Sequence, residues 1–516
     1  MLHTRFTAGS PLMVEVVFSG PTSTYQKSSP LNLTRDRWTG AVPEPLLDRS
    51  DNASCLTIRG NKFHDGTDSR RLSRGPATAD INSYGNLTQS MIADNSFLSS
   101  NDYGVILDPN TSPTAHADRN RIEKNTFQNK NYYGVALYGQ SSFKTQNVDF
   151  NEVEHNTFRN IASRIVNRFG SNGGECIYAV NANDSDITGN YCENAMVNRV
   201  NLVLPAGAIS LSDSARGRIR DNTVINSHYH CISVSNGPPA DQTGAIISGN
   251  VCERPAHDGI IVKGAAYVRS SHNTIEFAGE AGILVDSSST FFQSDHDIVR
   301  MSGFRAGGAG VDVAGNYASI SFDVVDSNAR SGIVISGDQA VLTGNIARNN
   351  SQSAPGVYYG FVLSGKSGLT MQDNRAIDDQ KGTIRVVNGG SGYRQGDVVT
   401  MLVNGAPRGR VLVSNVRSGS VNEVLALDQA ASPLTPAPIS TIGGSGSGLA
   451  VTFTGIPPCP NPTQEHGYFE NNSYAAGTLR LIGNQAIGLA DGRSLWSIAN
   501  THYIALGNSG LPDRKP

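Results

Sequence analysis

The sequence predicts an all-β chain wound as a right-handed parallel β-helix, a solenoid with a small all-β insertion near its C-terminal end. Three observations predict it. A small residue followed by apolar residues at every second position recurs as YGVILDP from Tyr103, YGVALYG from Tyr133, ECIYAVN from Glu175, GAISLSD from Gly207, HCISVSN from His230 and DGIIVKG from Asp258. That is the period of a half-buried strand. A second phrase, N-x-F and its variants, falls between these windows at Asn61, Asn95, Asn125, Asn156, Asn190, Asn222, Asn250 and Asn273, and returns at Asn345, Asn374 and Asn484. Its steps from Asn95 to Asn190 are 30, 31 and 34 residues with no helical pattern between them, and a period of that size marks stacked repeats.

Each repeat is one turn of the coil. Val105, Leu107, Val135, Leu137, Ile232 and Val234 are placed inward, rung upon rung, and each N-x-F asparagine at a turn where its amide bonds the asparagine one rung away. A solenoid grows along its axis, so 516 residues need no single large core. In these phrases the chain resembles the pectin-lyase-like β-helix superfamily, over roughly residues 50–382 and again from about 462. That resemblance implies a carbohydrate-active protein, since the superfamily holds lyases, hydrolases, epimerases and phage tailspikes.

In chain order, residues 1–50 read as an irregular lead-in with one strand, Val14–Phe18, that caps the first rung, because an open terminal rung exposes unpaired backbone. Residues 51–382 read as the β-helix. Two connections lengthen, RNIASRIVNRFGSNGGE after Phe158 and NAMVNRVNLVLPAG after Glu193; longer loops on a repeat scaffold gather on the binding face. Residues 383–456 lose the N-x-F phrase and read as short strands joined by Gly/Ser turns. Their GGSGYRQGDVV and GGSGSGLAVTFTG phrases resemble modules of phage tail proteins. Residues 457–516 resume the rungs and end in a tail.

Composition narrows the function. Charged residues make up 16% of the chain and the net charge is −3, so the basic face that nucleic acid requires is missing and no nucleic-acid partner is expected. No run of 18 apolar residues spans a membrane. The N-terminal stretch has no secretory pattern, and the location stays unknown between an extracellular protein and a phage virion. A tailspike-like chain is expected as a homotrimer, a free enzyme as a monomer. Cys176 and Cys231 occupy equivalent strand positions two rungs apart, as do Cys192 and Cys252 in the N-x-C phrase. Partners two rungs apart stand about 10 Å from each other, too far to bridge, so all four read as free thiols.

On such a scaffold chemistry is assembled by stacking. Aligning the windows puts Glu175, Gly207, His230 and Asp258 in one column, with Asp213, Lys263 and Asp286 near another. His230, Asp258, Lys263, Glu175 and Asp213 are the candidate catalytic residues, and Tyr178, His228, Arg168, Arg254 and Asp286 the candidate substrate contacts. A lyase or epimerase on a uronic acid needs a base, His230 or Lys263, and a cation on the carboxylate, Arg168 or Arg254. A glycosidase needs two carboxylates at a set distance. Tyr103, Tyr133 and Tyr359 read as packing rather than a sugar platform. No metal constellation is evident, with Ca²⁺ at Asp184 and Asp186 as the one candidate cofactor. The catalytic motifs of polygalacturonases, pectate lyases and alginate epimerases are absent, the nearest being LDPNT at Leu107. The reading is a protein that binds and cleaves an acidic or surface polysaccharide on its central rungs; the alternative is an adhesive, non-catalytic β-helix.

Overall fold

The computed structural model describes residues 32–34, 37–39 and most of 53–508. It leaves out 55, 65–78, 84–85, 99–101, 110–114, 140–147, 163–172, 198–205, 236–243, 354–356, 366, 379–382, 404–405, 427–438, 455–463, 465, 471–477, 488–495 and 498–502. The strand read at Val14–Phe18 and the candidate contact Arg168 lie outside the described residues. Two short strands, Asn32–Thr34 and Arg37–Thr39, fall inside the lead-in and pair in parallel with Thr57–Arg59 and Lys62–His64. The chain forms two compact units, the first holding residues 1–255 and 260–273, the second 256–259 and 274–516.

In the first unit every turn has three short strands, and each strand pairs in parallel with its counterpart one turn away. Arg121–Glu123, Thr126–Gln128 and Tyr133–Tyr138 make one turn; Glu152–Glu154, Thr157–Ala162 and Ile177–Val180 make the next. The pairings are in register, Ile122 with Val153, Phe127 with Phe158 and Val135 with Ile177. The middle residue of each three-residue strand points inward, so Ile58, Ile92, Ile122, Val153, Ile187, Ile219 and Ile247 stack without exposure. Beside them run the rings of Phe63, Phe97, Phe127 and Phe158, stacked at centroid spacings of 4.7, 4.6 and 4.7 Å.

The asparagines do what their spacing implies. Asn95 Nδ2 donates to Asn125 Oδ1 at 3.0 Å, Asn125 to Asn156 at 3.0 Å and Asn156 to Asn190 at 3.1 Å. Each also accepts a backbone N–H from one neighbour and caps a strand carbonyl, as Asn125 Nδ2 does for Ile92 O at 2.8 Å. A buried amide whose groups are all bonded stabilises the turn, whereas an unsatisfied one would destabilise it.

The cysteine expectation is corrected. Cys176 is bonded to Cys192 and Cys231 to Cys252, with Cα–Cα separations of 6.2 and 5.9 Å. The partners are not in one column; they face each other across a corner of the coil. One turn earlier the same corner is filled by Gly134, where a Cβ would sit 2.4 Å from the Phe158 ring. A small residue opposite a large one there can be exchanged for two cysteines of intermediate size.

The second unit repeats the three-strand turn. Gln293–Asp295, Ile298–Arg300 and Val311–Val313 make one turn and pair onward with the strands of the next. Thr383–Ser391, Val398–Val403, Ala406–Arg417, Ser420–Ala426, Ile439–Ile442 and Ser447–Thr454 form a separate six-stranded antiparallel sheet. Its core holds Tyr393, Val399, Met401, Val411, Val413 and Val451, and Leu412 docks it on Phe304 and Ala329. The coil resumes after it: Asn374 bonds Asn484 at 2.9 Å across 110 residues, and Phe361 stacks on Tyr468 at 4.9 Å.

Candidate functional site

In the first unit the strands Tyr103–Leu107, Tyr133–Tyr138, Ile177–Val180, Gly207–Ser212, His230–Ser235 and Ile260–Lys263 share one sheet. Val105, Val135, Ile177, Ile209, Ile232 and Ile260 face the core from it, so Ile106, Ala136, Tyr178, Ser210 and Ser233 face outward by alternation. On this outer face the tyrosines gather. Tyr133 stacks on Tyr178 at 5.0 Å and 8°; Tyr132 meets Tyr133 at 4.3 Å, Tyr103 meets Tyr132 at 5.4 Å, and Tyr138 meets Tyr178 at 5.9 Å. Ala79, Ile106 and Ala136 pack under them.

Two glycines place Glu175 among these rings. Gly173 and Gly174 have φ of +51° and +100°, and a Cβ on Gly173 would stand 2.3 Å from the Tyr132 ring. Gly174 N–H donates to Tyr132 O at 2.5 Å and Gly134 N–H to Glu175 O at 3.2 Å. No side chain with a Cβ could make this approach at that φ without strain. Glu175 itself is 2% exposed. Burial, then the Glu175 carboxylate and the neighbouring phenols, push the Tyr133 phenol well above its ordinary range. Tyr178 is raised by burial, then Tyr138, Glu175 and Asp213; Tyr138 by burial, then Tyr132 and Asp108. The Asp213 carboxyl is itself raised by burial, against a hydrogen bond from Ser212 Oγ at 3.3 Å.

Of the residues predicted from sequence, Glu175, Tyr178 and Asp213 therefore share one face. Missed were Tyr132, Tyr138 and Asp108; of the tyrosines read as packing, Tyr103 and Tyr133 belong to this cluster, whereas Tyr359 stacks on Phe469 and His466 in the second unit. Cys176 anchors the start of the Tyr178 strand through its disulfide.

Of the remaining predicted residues His230 keeps its place in the column of Glu175 and Gly207, and the others lie further along the sheet or away from it. Gly207 pairs with His230 and Ser235 with Lys263, so His230 and Lys263 sit at opposite ends of adjacent strands, about 16 Å apart at 3.3 Å per residue. His230 is 4% exposed and packs on Tyr229 at 4.1 Å. His228 is exposed, its N–H bonded to Ala195 O at 2.9 Å. Arg254 is tied to Glu253 at 2.8 Å and Asn226 at 3.0 Å, beyond the second strand of its turn. In the second unit Asp258 Oδ1 accepts the Ala281 N–H at 2.8 Å beside a His257–Glu280 pair, and Asp286 accepts from Ser288 and Ser289 within its own turn. Asp184 is held by Arg216 at 2.7 Å and Asp186 by Arg220, which commits the carboxylates considered for Ca²⁺ to guanidinium partners. Among the described residues no group of three or more His, Cys, Asp or Glu is arranged to hold a metal ion, and no helix is long and apolar enough to cross a membrane.

Residues 151–297 and 240–395 match the family described as the right handed beta helix region. No curated protein matches the chain. Similar solved structures include an Azotobacter vinelandii mannuronan C-5 epimerase A-module, with 10% identity, 94% of this chain and 91% of that chain covered, and a TM-score of 0.34. A tailspike protein of an E. coli bacteriophage, in complex with a pentasaccharide, has 10% identity, 82% and 86% coverage and a TM-score of 0.38. A surface adhesin of Streptococcus pneumoniae has 10% identity, 56% and 83% coverage and a TM-score of 0.35. The family match over residues 151–395 and the coil's own parallel sheets show the fold: the chain is a right-handed parallel β-helix.

Proposed function

We propose that the chain binds a polysaccharide across the tyrosine-lined face of its first unit. The observation that supports this most is the run of part-exposed phenol rings, Tyr103, Tyr138 and Tyr178, over a buried apolar floor and beside the Glu175 and Asp213 carboxylates. Rings of this kind stack on the apolar faces of pyranoses while carboxylates and phenols take their hydroxyl groups. The ligand class is a surface glycan, and binding is the primary role.

Cleavage is the second reading, favoured by Asp213, whose carboxyl burial raises in the direction a general acid needs. Spacing speaks against Glu175 as its partner. Ile177 pairs with Ile209, so Glu175 stands opposite Gly207, and Asp213 lies six residues further on. That is about 20 Å along the strand, against about 6.5–9.5 Å for an inverting pair of carboxyls.

A polysaccharide panel separates the readings. Binding is measured by affinity electrophoresis, eliminative cleavage by absorbance at about 232 nm, and hydrolysis by release of reducing ends. The expected result is retention by at least one polymer, lost in Tyr178→Ala with folding intact. Retention unchanged in Tyr178→Ala would remove the face from consideration, and reducing ends lost in Asp213→Asn would promote the enzymatic reading.

A further inference from the structure

We infer that Asp297 and Asp323 share one proton inside the second unit at neutral pH, so that this corner of the coil is held closed by a bound proton and loosens in alkali.

The inference comes from counting hydrogens. In the turns that follow, an asparagine fills this position and its amide nitrogen gives two of them. Asn345 Nδ2 donates to Asn374 Oδ1 at 2.9 Å and to Ile320 O at 2.8 Å. Asn374 Nδ2 donates to Asn484 Oδ1 at 2.9 Å and to Leu342 O at 3.0 Å. At Asp297 and Asp323 an oxygen replaces that nitrogen, and an ionised carboxylate only accepts. The backbone keeps the ladder's register all the same. Asp297 N–H donates to Asp323 Oδ1 at 2.8 Å, and Asp323 N–H to Asn345 Oδ1 at 2.9 Å.

Ser294 restores one hydrogen. Its Oγ lies 2.8 Å from Asp297 Oδ2 and 2.5 Å from Asp323 Oδ2. It can donate to either carboxyl, but a hydroxyl has one hydrogen and serves one of them at a time. The other pair of oxygens also stands at hydrogen-bond distance, and two oxygens bond only with a hydrogen between them. A proton on that carboxyl supplies it, donated to a lone pair of the hydroxyl. The pair then carries a single charge, and the proton changes sides as the hydroxyl turns.

The surroundings favour this state. Asp297, Asp323 and Ser294 are 0%, 0% and 1% exposed, and two like charges so far from water oppose each other strongly. Val299, Ile320 and Val325 line the interior of the same turns. The ionisable groups on the strands around the pair, Asp295, His296, Arg300 and Asp326, point to the outer side of the coil; Asp295 is paired with His296 at 3.0 Å and Arg300 faces Glu276 at 3.7 Å. Burial, then the Asp297 charge, raise the Asp323 carboxyl in the same direction. In the unfolded chain both carboxyls ionise near pH 3.9. From there up to the folded value the fold holds a proton that unfolding releases, so stability falls as pH rises and the unfolding equilibrium constant grows about tenfold per pH unit.

The test uses the full chain and infrared spectroscopy, in which a protonated carboxyl and a carboxylate absorb at separate frequencies. The parent chain at pH 7 should show a protonated-carboxyl band that disappears as pH rises. Asp297→Asn and Asp323→Asn should both lack it, since each leaves one carboxyl beside an amide donor, and asparagine already serves this position at Asn345, Asn374 and Asn484. Unfolding of the parent chain, followed by calorimetry in buffers of different ionisation enthalpy, should release about one proton more at pH 7 than unfolding of either variant. The parent chain's own titration stands should a variant not fold: absence of the band at pH 7 overturns the inference. A band kept in one variant and lost in the other puts the proton on a single carboxyl and overturns the sharing. Equal proton release by all three chains overturns the bound proton altogether.

Discussion

Asp323→Asn should stabilise the second unit, and more so as pH rises. In that unit Asp297 and Asp323 occupy the turn position that asparagine holds at Asn345, Asn374 and Asn484, and both are fully buried. Ser294 Oγ donates to Asp297 at 2.8 Å and to Asp323 at 2.5 Å, and Asp297 N–H donates to Asp323 Oδ1 at 2.8 Å. Ser294 stands in an inward file that continues as Ile320, Leu342 and Met371, so a hydroxyl sits where the carboxyls need a donor. Burial first, then the Asp297 charge, hold the Asp323 carboxyl well above its ordinary value. The sign follows from linkage. A folded pKa raised above the unfolded one favours the fold below the unfolded pKa, about 3.9, and that contribution is lost as pH climbs through the folded value.

Asparagine at 323 removes the charge and restores two donated bonds of the kind Asn345 makes, to Ile320 O at 2.8 Å and Asn374 Oδ1 at 2.9 Å. At about 0.5–1.5 kcal/mol each, the gain is about 2 kcal/mol. At about 2–4 °C per kcal/mol for a unit of this size, the melting temperature should rise by about 4–8 °C near pH 8. Near pH 4, where a protonated carboxyl also donates, the difference should shrink towards zero. Thermal unfolding of both proteins followed by circular dichroism from pH 4 to 9 measures it. A shift independent of pH, or a variant less stable at pH 8, would refute the reasoning.

Other consequences follow from the same packing. Reducing Cys176–Cys192 and Cys231–Cys252, whose partners are 16 and 21 residues apart, should lower stability by about 3 kcal/mol each on chain entropy, read as a fall in melting temperature with a thiol reductant. Phe127→Ala, in the middle of the stacked rings, should cost about 3–5 kcal/mol and appear as a lower urea midpoint. Gly173→Ala drives a methyl into the Tyr132 ring and should weaken glycan retention more than tenfold while costing only about 1–2 kcal/mol of stability, which binding and melting curves distinguish. Asp397→Ala removes hydrogen bonds from Ser445 N–H at 3.0 Å and Ser445 Oγ at 2.6 Å. It should destabilise the six-stranded sheet by about 1–2 kcal/mol, read from hydrogen exchange of its amides.

The coil was legible because its signals repeat: a strand period, an asparagine at each turn and an inward apolar file are visible as spacing alone. The tyrosine face was half legible. Glu175, Tyr178 and Asp213 could be placed by register, but Tyr132 precedes its window, and Asp108 and Tyr138, although inside YGVILDP and YGVALYG, lie outside the columns that were compared. The disulfides were missed because only residues in the same column were compared. The signal that could have found them is joint substitution: Gly104 lies over Phe127 and Gly134 over Phe158, and the next corner carries Cys176 and Cys192 at both positions together. His230, Lys263 and Arg254 were drawn together by their chemistry, although strand positions alone set the first two five residues apart.

That contrast says where function is to be sought on a coil of this kind. A side chain repeated up a column satisfies itself: asparagine bonds asparagine and phenylalanine stacks on phenylalanine, so each column's groups are used up in holding the rungs together. Other arrangements arise where a column breaks. At residues 173–175 two glycines with positive φ replace any ordinary corner and turn a carboxylate among rings. At Asn82 an outward amide occupies a file that continues as Ile106 and Ala136, with no second amide to bond it. Both departures lie on the same sheet of the first unit, and the tyrosines lie on it too. Strand periodicity explains none of the three, whereas the proposed glycan lying across that sheet would account for all of them.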